Sequence, residues 1–182
     1  ILGAFTLTGM NTAVTRAVAS GNDGVYFKSI NYQIKWNIVL FLASFVPTIV
    51  FIVSNQMTIA IGFCIVSFAT VFLTTFNTYA AYLNGKKEFK LLARFTVIST
   101  CVQAVAIIIA IFLFNNALGI ILFSFGTQAL LAFFFHLRTK KFFMGTHNDG
   151  ESSETIKLGR QLSINNIIKL ISDQADKFIM FS

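Results

Sequence analysis

Residues 36–94 read WNIVLFLASFVPTIVFIVSNQMTIAIGFCIVSFATVFLTTFNTYAAYLNGKKEFKLLAR. From Trp36 to Gly85 the stretch has no Asp, Glu, Lys or Arg; then Lys86, Lys87, Lys90 and Arg94 arrive together. A second block, Phe95 to Leu137, is again free of charge. Each block is long enough for two membrane crossings at ~1.5 Å per residue. Arg16, Lys28 and Lys35 precede the first block, and Arg138, Lys140, Lys141, Lys157 and Arg160 follow the second. Cytoplasmic loops concentrate Lys and Arg. The alternation therefore predicts a polytopic membrane protein with cytoplasmic stretches around 21–35, 84–94 and 138–160.

The composition agrees. Of 182 residues, 55% are hydrophobic, 22 are Phe and one is Pro, which does not describe a soluble domain. The net charge of +7 is spread among loops rather than gathered in one patch. That points to the anionic inner leaflet and membrane lipids, and away from nucleic acid. Cys64 and Cys101 sit in apolar runs and read as small hydrophobes without metal or disulfide spacing. The first residue already lies in a membrane-like run and the chain closes on Phe178–Ser182, still apolar. A fragment of a longer protein is expected.

The expected elements follow. Residues 1 to about 20 form the end of a helix. Residues 21–35, entered through Gly21-Asn22-Asp23-Gly24, form a loop or short interfacial helix, with Tyr32 and Trp36 in an aromatic belt. Residues 37–54 span, kinked by Pro47. After a Ser54-Asn55-Gln56 turn, residues 57–83 span and stop at Asn84-Gly85. Residues 91–114 and 117–137 cross again around an Asn115-Asn116 turn. Residues 138–156 make a polar connector, and residues 157–182 begin a further helix. The expected fold class is an all-α membrane helical bundle.

The last helix carries the most chemistry. Gln161, Asn165, Lys169, Ser172, Asp173 and Asp176 share one face by their i, i+3/i+4 spacing. Lys169–Asp173 and Asp173–Lys177 are spaced to pair along the helix. Intramembrane charge is expensive, so these groups should face protein or a wet cavity. A surface-lying amphipathic helix and self-paired packing charges are the other two readings. Thr8, Asn11, Thr12, Thr15 and Arg16 form a second polar face, read as interhelical glue or as substrate contact. Thr70, Thr74, Asn77 and Thr78 form a third, and there, as for Gln103 and Gln128, interhelical hydrogen bonding is expected. His136 and His147 have no partner that suggests catalysis or a metal site. The chain has no nucleophile elbow, phosphate-binding glycine loop or HExxH, so neither an enzyme nor a cofactor is expected.

Three stretches resemble a known family: GMNTAVTRAVASGND (residues 9–23), AAYLNGKKEFKLLARF (80–95) and DQADKFIMFS (173–182). They are similar to corresponding parts of bacterial polysaccharide-biosynthesis flippases. These include O-antigen-type and teichuronic-acid-type exporters of the MATE-like superfamily (multidrug, oligosaccharidyl-lipid and polysaccharide exporters). The resemblance implies two six-helix lobes. This chain would run from the end of helix two to the start of helix seven: residues 1–137 in the amino-terminal lobe, 138–156 the cytoplasmic connector, and 157–182 opening the second lobe. It also implies transfer of an undecaprenyl-diphosphate-linked oligosaccharide across the bacterial inner membrane. A polysaccharide polymerase or glycosyltransferase would be the expected protein partner. Lys177, Lys169, Arg16 and Asn165 are the implied substrate contacts, and Asp173 and Asp176 the charge-pairing or ion-coupling groups. A multidrug exporter of the same superfamily and a non-transporting scaffold in glycan assembly remain alternatives.

Overall fold

The computed structural model describes residues 7–141 and 149–180, with side chains described at residues 7, 9–141 and 153–169. Among these residues there are six helices: α1 (Thr8–Ala19), α2 (Val25–Val53), α3 (Met57–Gly85), α4 (Phe89–Leu113), α5 (Ala117–Lys140) and α6 (Asp149–Met180). The architecture is an all-α bundle. Helices α2 to α5 are long and apolar enough to cross a membrane, which marks a membrane protein. Their outward faces support this: Val53, Phe112 and Leu130 are 81%, 83% and 72% exposed, a distribution suited to lipid rather than water.

The helix ends have identifiable causes. Gly21, Asn55 and Lys87 each take a positive φ. In each case the next residue's amide reaches back to an earlier carbonyl: Asn22 to Ala17, Gln56 to Phe51 and Glu88 to Leu83, all at 2.9 Å. This is the Schellman closure, which satisfies carbonyls that the helix end would otherwise leave unpaired. At the start of α5, Asn116 accepts the Gly119 amide at 2.8 Å and caps the helix.

Two expected boundaries are corrected. The segment 21–35, expected as a loop or short interfacial helix, is a turn only at 21–24; from Val25 it is helical and continuous with α2, so Lys28, Tyr32, Lys35 and Trp36 all ride on the first turns of that helix. At ~1.5 Å per residue α2 exceeds the ~30 Å hydrocarbon core, and this extension can stand outside it. The connector 138–156 shrinks from both sides, because α5 runs to Lys140 and α6 begins at Asp149. Pro47 does accompany a break in α2, located at Ser44. Its missing amide removes the donor that would bond the Ala43 carbonyl.

Packing sets two layers of contact. Helices α2 and α4 flank α3 and α5, which lie against each other; α1 sits on the carboxy-terminal part of α3 and on α6. At the basic end Tyr79, Phe95 and Phe135 join α3, α4 and α5, with the Phe95 and Phe135 rings stacked at 4.4 Å. Such aromatic pairs add about 0.5–1.5 kcal/mol beyond burial. The α1–α6 seam is set by close approach. A Cβ on Gly9 would meet the Ser163 backbone at 2.5 Å, and one on Gly159 would meet the Met10 sulfur at 2.6 Å. Ser163 closes the seam by accepting the Gly9 amide at 3.1 Å.

Candidate functional site: a polar groove at the basic end

The i, i+4 spacing of Asn11, Thr12, Thr15 and Arg16 gives α1 a polar side. That side does not pack fully against a neighbour. Thr15 Oγ1 is shared between its own helix, the Asn11 carbonyl at 2.9 Å, and α3, the Ala81 carbonyl at 3.1 Å. Gly85 allows this approach, because a Cβ there would meet Val18 Cβ at 2.7 Å and the Thr15 carbonyl at 2.8 Å. Alongside the contact, Ala80, Ala81 and Asn84 form a low opposite wall. Together with Asn11, Thr12, Thr15 and Arg16 they line an open groove of about 510 Å³.

The chemistry of the groove follows from its inventory. Arg16 supplies a permanent cation with a planar set of donors. Asn11 Oδ1 is a buried acceptor without a hydrogen-bond partner among the described residues. Asn84 and Thr12 are exposed and can donate or accept. Among the described residues no carboxylate lines the groove. Such a surface suits an anionic group attached to a hydroxyl-rich one.

Beside the groove lies a polar network. Lys86 Nζ pairs with Asp23 Oδ2 at 2.6 Å, the carboxylate side chain being 3% exposed. The Tyr82 hydroxyl donates weakly to the same oxygen at 3.5 Å. The Tyr82 ring lies 4.9 Å from that of Tyr26, whose hydroxyl shares a 2.6 Å hydrogen bond with His136 Nδ1. The network ties the α1–α2 turn to α2, α3 and α5.

The sequence-predicted residues divide accordingly. Arg16 is brought together with Asn11, Thr12 and Thr15 in the groove. Asn165 and Lys169 are exposed on α6 and do not line it. The α6 surface buried against α1 carries Gly159 and Ser163 instead. Asp173, Asp176 and Lys177 are in the helical part of α6, but their side chains lie outside the described residues, as do those of Thr8 and Ser172; His147 lies outside the described residues altogether.

The expected interhelical hydrogen bonds are present at Thr74, Thr78, Gln103 and Gln128, whereas Thr70 donates within its own helix to the Val66 carbonyl at 2.7 Å and Asn77 is exposed. Gln33 Nε2 donates to Thr78 Oγ1 at 3.0 Å, Asn37 Nδ2 to Thr74 Oγ1 at 2.8 Å, and Gln128 Nε2 to Gln103 Oε1 at 3.2 Å. Sequence reasoning missed Asp23, which it read only as part of a turn, and the partner of His136. The one available signal was that Asp23 is the sole acid before Glu88, in a region otherwise basic.

Comparison with protein-family models, with curated proteins and with solved structures returned no match.

Proposed function

We propose that this chain is part of a bacterial inner-membrane exporter. Its cargo is an undecaprenyl-diphosphate-linked oligosaccharide, moved to the outer leaflet for surface polysaccharide assembly. The observation that carries the reading is the open groove joining Arg16 to amide and hydroxyl groups at the basic end of the bundle. A diphosphate is best held by a guanidinium, and a glycan by amides and hydroxyls. The polyprenyl tail can stay in lipid while the head group crosses a cavity between rocking elements. Under the positive-inside rule the basic end faces the cytoplasm, so the groove lies on the loading side. A carrier of organic cations calls for acidic lining, and the described groove has none. Lys177 and Lys169 on α6 would supply further cations along the path, with Asp173 and Asp176 as the charge-pairing or ion-coupling groups.

The test is genetic complementation in the native host. Wild type restores surface glycan to a deletion strain, while Lys177→Ala inserts normally and restores little. Full surface glycan in the deletion strain itself sinks the proposal.

A further inference from the structure

Helices α2 and α5 touch at the basic end and have little other contact, with α3 between them. There the Tyr26 hydroxyl and His136 Nδ1 lie 2.6 Å apart, and Lys140 Nζ sits 5.8 Å from the centre of the Phe27 ring. Further along, α3 floors an apolar crevice made of two cavities, about 280 Å³ against α2 and about 400 Å³ reaching α5. Phe41 and Phe68 line both, and their rings stand edge to face at 5.8 Å, so the cavities meet at that pair. Ile38, Phe68 and Phe72 are 48%, 54% and 39% exposed. The crevice is therefore continuous with the lipid-facing surface.

Helical spacing sets this line of residues. On α2, Phe27, Asn31, Ile34, Ile38 and Phe41 follow i, i+3/i+4 spacing and share one face. On α5, Leu122, Gly126, Phe133 and Lys140 also fall on one face. On α3, Phe68, Phe72 and Phe76 form a ladder with ring centres 5.0 and 6.0 Å apart. Thr75 lines the smaller cavity but turns its hydroxyl oxygen to Asn37 Nδ2 at 3.0 Å. The wall is otherwise hydrocarbon and aromatic carbon, with the Cys64 thiol in the larger cavity. At the basic end the line finishes on a cation. Lys140 is exposed and has no carboxylate partner among the described residues. Asn31 is exposed near that end, where a head group rather than a tail would meet it.

An apolar crevice that ends on a cation suits a lipid with an anionic head. Length selects among such lipids. From Lys140 to Leu122 the line runs through roughly 27 Å at ~1.5 Å per residue. A phospholipid chain of the inner leaflet reaches about half of the ~30 Å hydrocarbon core, short of the Leu122 level. A polyprenyl chain is long enough for the whole line. Its methyl branch at every fourth backbone carbon also gives the Phe68, Phe72 and Phe76 ladder a repeating partner, which a straight acyl chain lacks. We propose that this crevice is a docking position for a long-chain polyprenyl phosphate, with the tail between α2 and α5 and the phosphate on Lys140. The proposal rests on the reading of a polyprenyl-linked cargo and adds where the carrier's tail lies: on the flank of the bundle, apart from the Arg16 groove between α1 and α3.

The test is equilibrium binding of radiolabelled undecaprenyl phosphate to the protein as the host makes it, purified in detergent. Saturable binding is expected. Dioleoyl phosphatidylglycerol, with an anionic head but short chains, and undecaprenol, without the phosphate, should displace it only at roughly tenfold higher concentration or more. Lys140→Gln should weaken binding roughly tenfold, the loss of about one charge-assisted contact. Gly126→Leu should weaken it by a similar factor by filling the crevice. Nothing lies within 4 Å of a Cβ at Gly126, so this variant keeps its fold, and its melting temperature checks that. Glycan flipping is read separately: binding without flipping leaves this site standing and removes the export reading, and flipping without binding does the reverse. An absence of saturable binding, equal displacement by phosphatidylglycerol, or binding unchanged in Lys140→Gln or in Gly126→Leu overturns the proposal and leaves the crevice to bulk lipid or to another part of the protein.

Discussion

Asp23 and Lys86, sixty-three positions apart in the chain, form an ion pair at 2.6 Å that joins the turn after α1 to the end of α3. The carboxylate is buried and its second oxygen, Oδ1, has no hydrogen-bond partner among the described residues, while the lysine is 36% exposed. The two partners are therefore unequal. Removing the lysine strands a buried charge, whereas removing the charge on both sides need cost little.

Lys86→Met is expected to destabilise the protein by about 1–3 kcal/mol, less than for a fully buried pair because the ammonium is partly solvated. Asp23→Asn added to Lys86→Met should recover a good part of that loss. A thermal-unfolding double-mutant cycle in detergent measures the coupling. Additive effects of the two substitutions would show that the pair does not hold the turn.

The helix seams make a second prediction. Gly85→Ala and Gly9→Ala each place a Cβ within 2.8 Å of a neighbouring helix, and overpacking of this kind costs about 1–3 kcal/mol. Gly126 has nothing within 4 Å of the corresponding position. Gly126→Ala should be neutral or stabilising by up to about 1 kcal/mol, through helix propensity. Equal melting temperatures for all three variants would contradict the packing of α1 against α3 and α6.

The proposed orientation is tested by accessibility. With Cys64 and Cys101 replaced by serine, single cysteines at Asn55 and Asn116 should react in intact cells with a membrane-impermeant thiol reagent. One at Lys87 should react only after permeabilisation. Labelling at 87 alone from outside would invert the topology.

Much of the bundle is legible in the sequence because charge-free runs of this length have few uses besides crossing a bilayer. The boundaries are less so. Lys28 and Lys35 interrupt the hydropathy of α2 without interrupting its backbone hydrogen bonding, so the helix begins well before the apolar run does. The groove is half legible. The spacing of Asn11, Thr12, Thr15 and Arg16 places them on one face, but Ala80, Ala81 and Asn84 come from another helix, and local periodicity carries no information about that distance. Gly85 illustrates the limit. The sequence reading treats Asn84-Gly85 as a helix stop, and the helix does end there. The left-handed residue, however, is Lys87, and Gly85 instead makes room for Val18 and Thr15. Asp23 was hidden for a related reason, since a turn residue and a buried ion-pair partner look alike until the lysine is located.

The central claim is that Arg16 holds the anionic part of a lipid-linked glycan. Its most direct measurement is transbilayer movement of a fluorescent undecaprenyl-diphosphate oligosaccharide in vesicles containing the purified protein as the host makes it. Wild type should flip the lipid, Arg16→Lys should retain part of the rate, and Arg16→Ala should lose roughly 10–100-fold, as expected for one charge-assisted hydrogen-bonding group. Flipping by Arg16→Ala at the wild-type rate, with equal protein in the vesicles, would contradict the account.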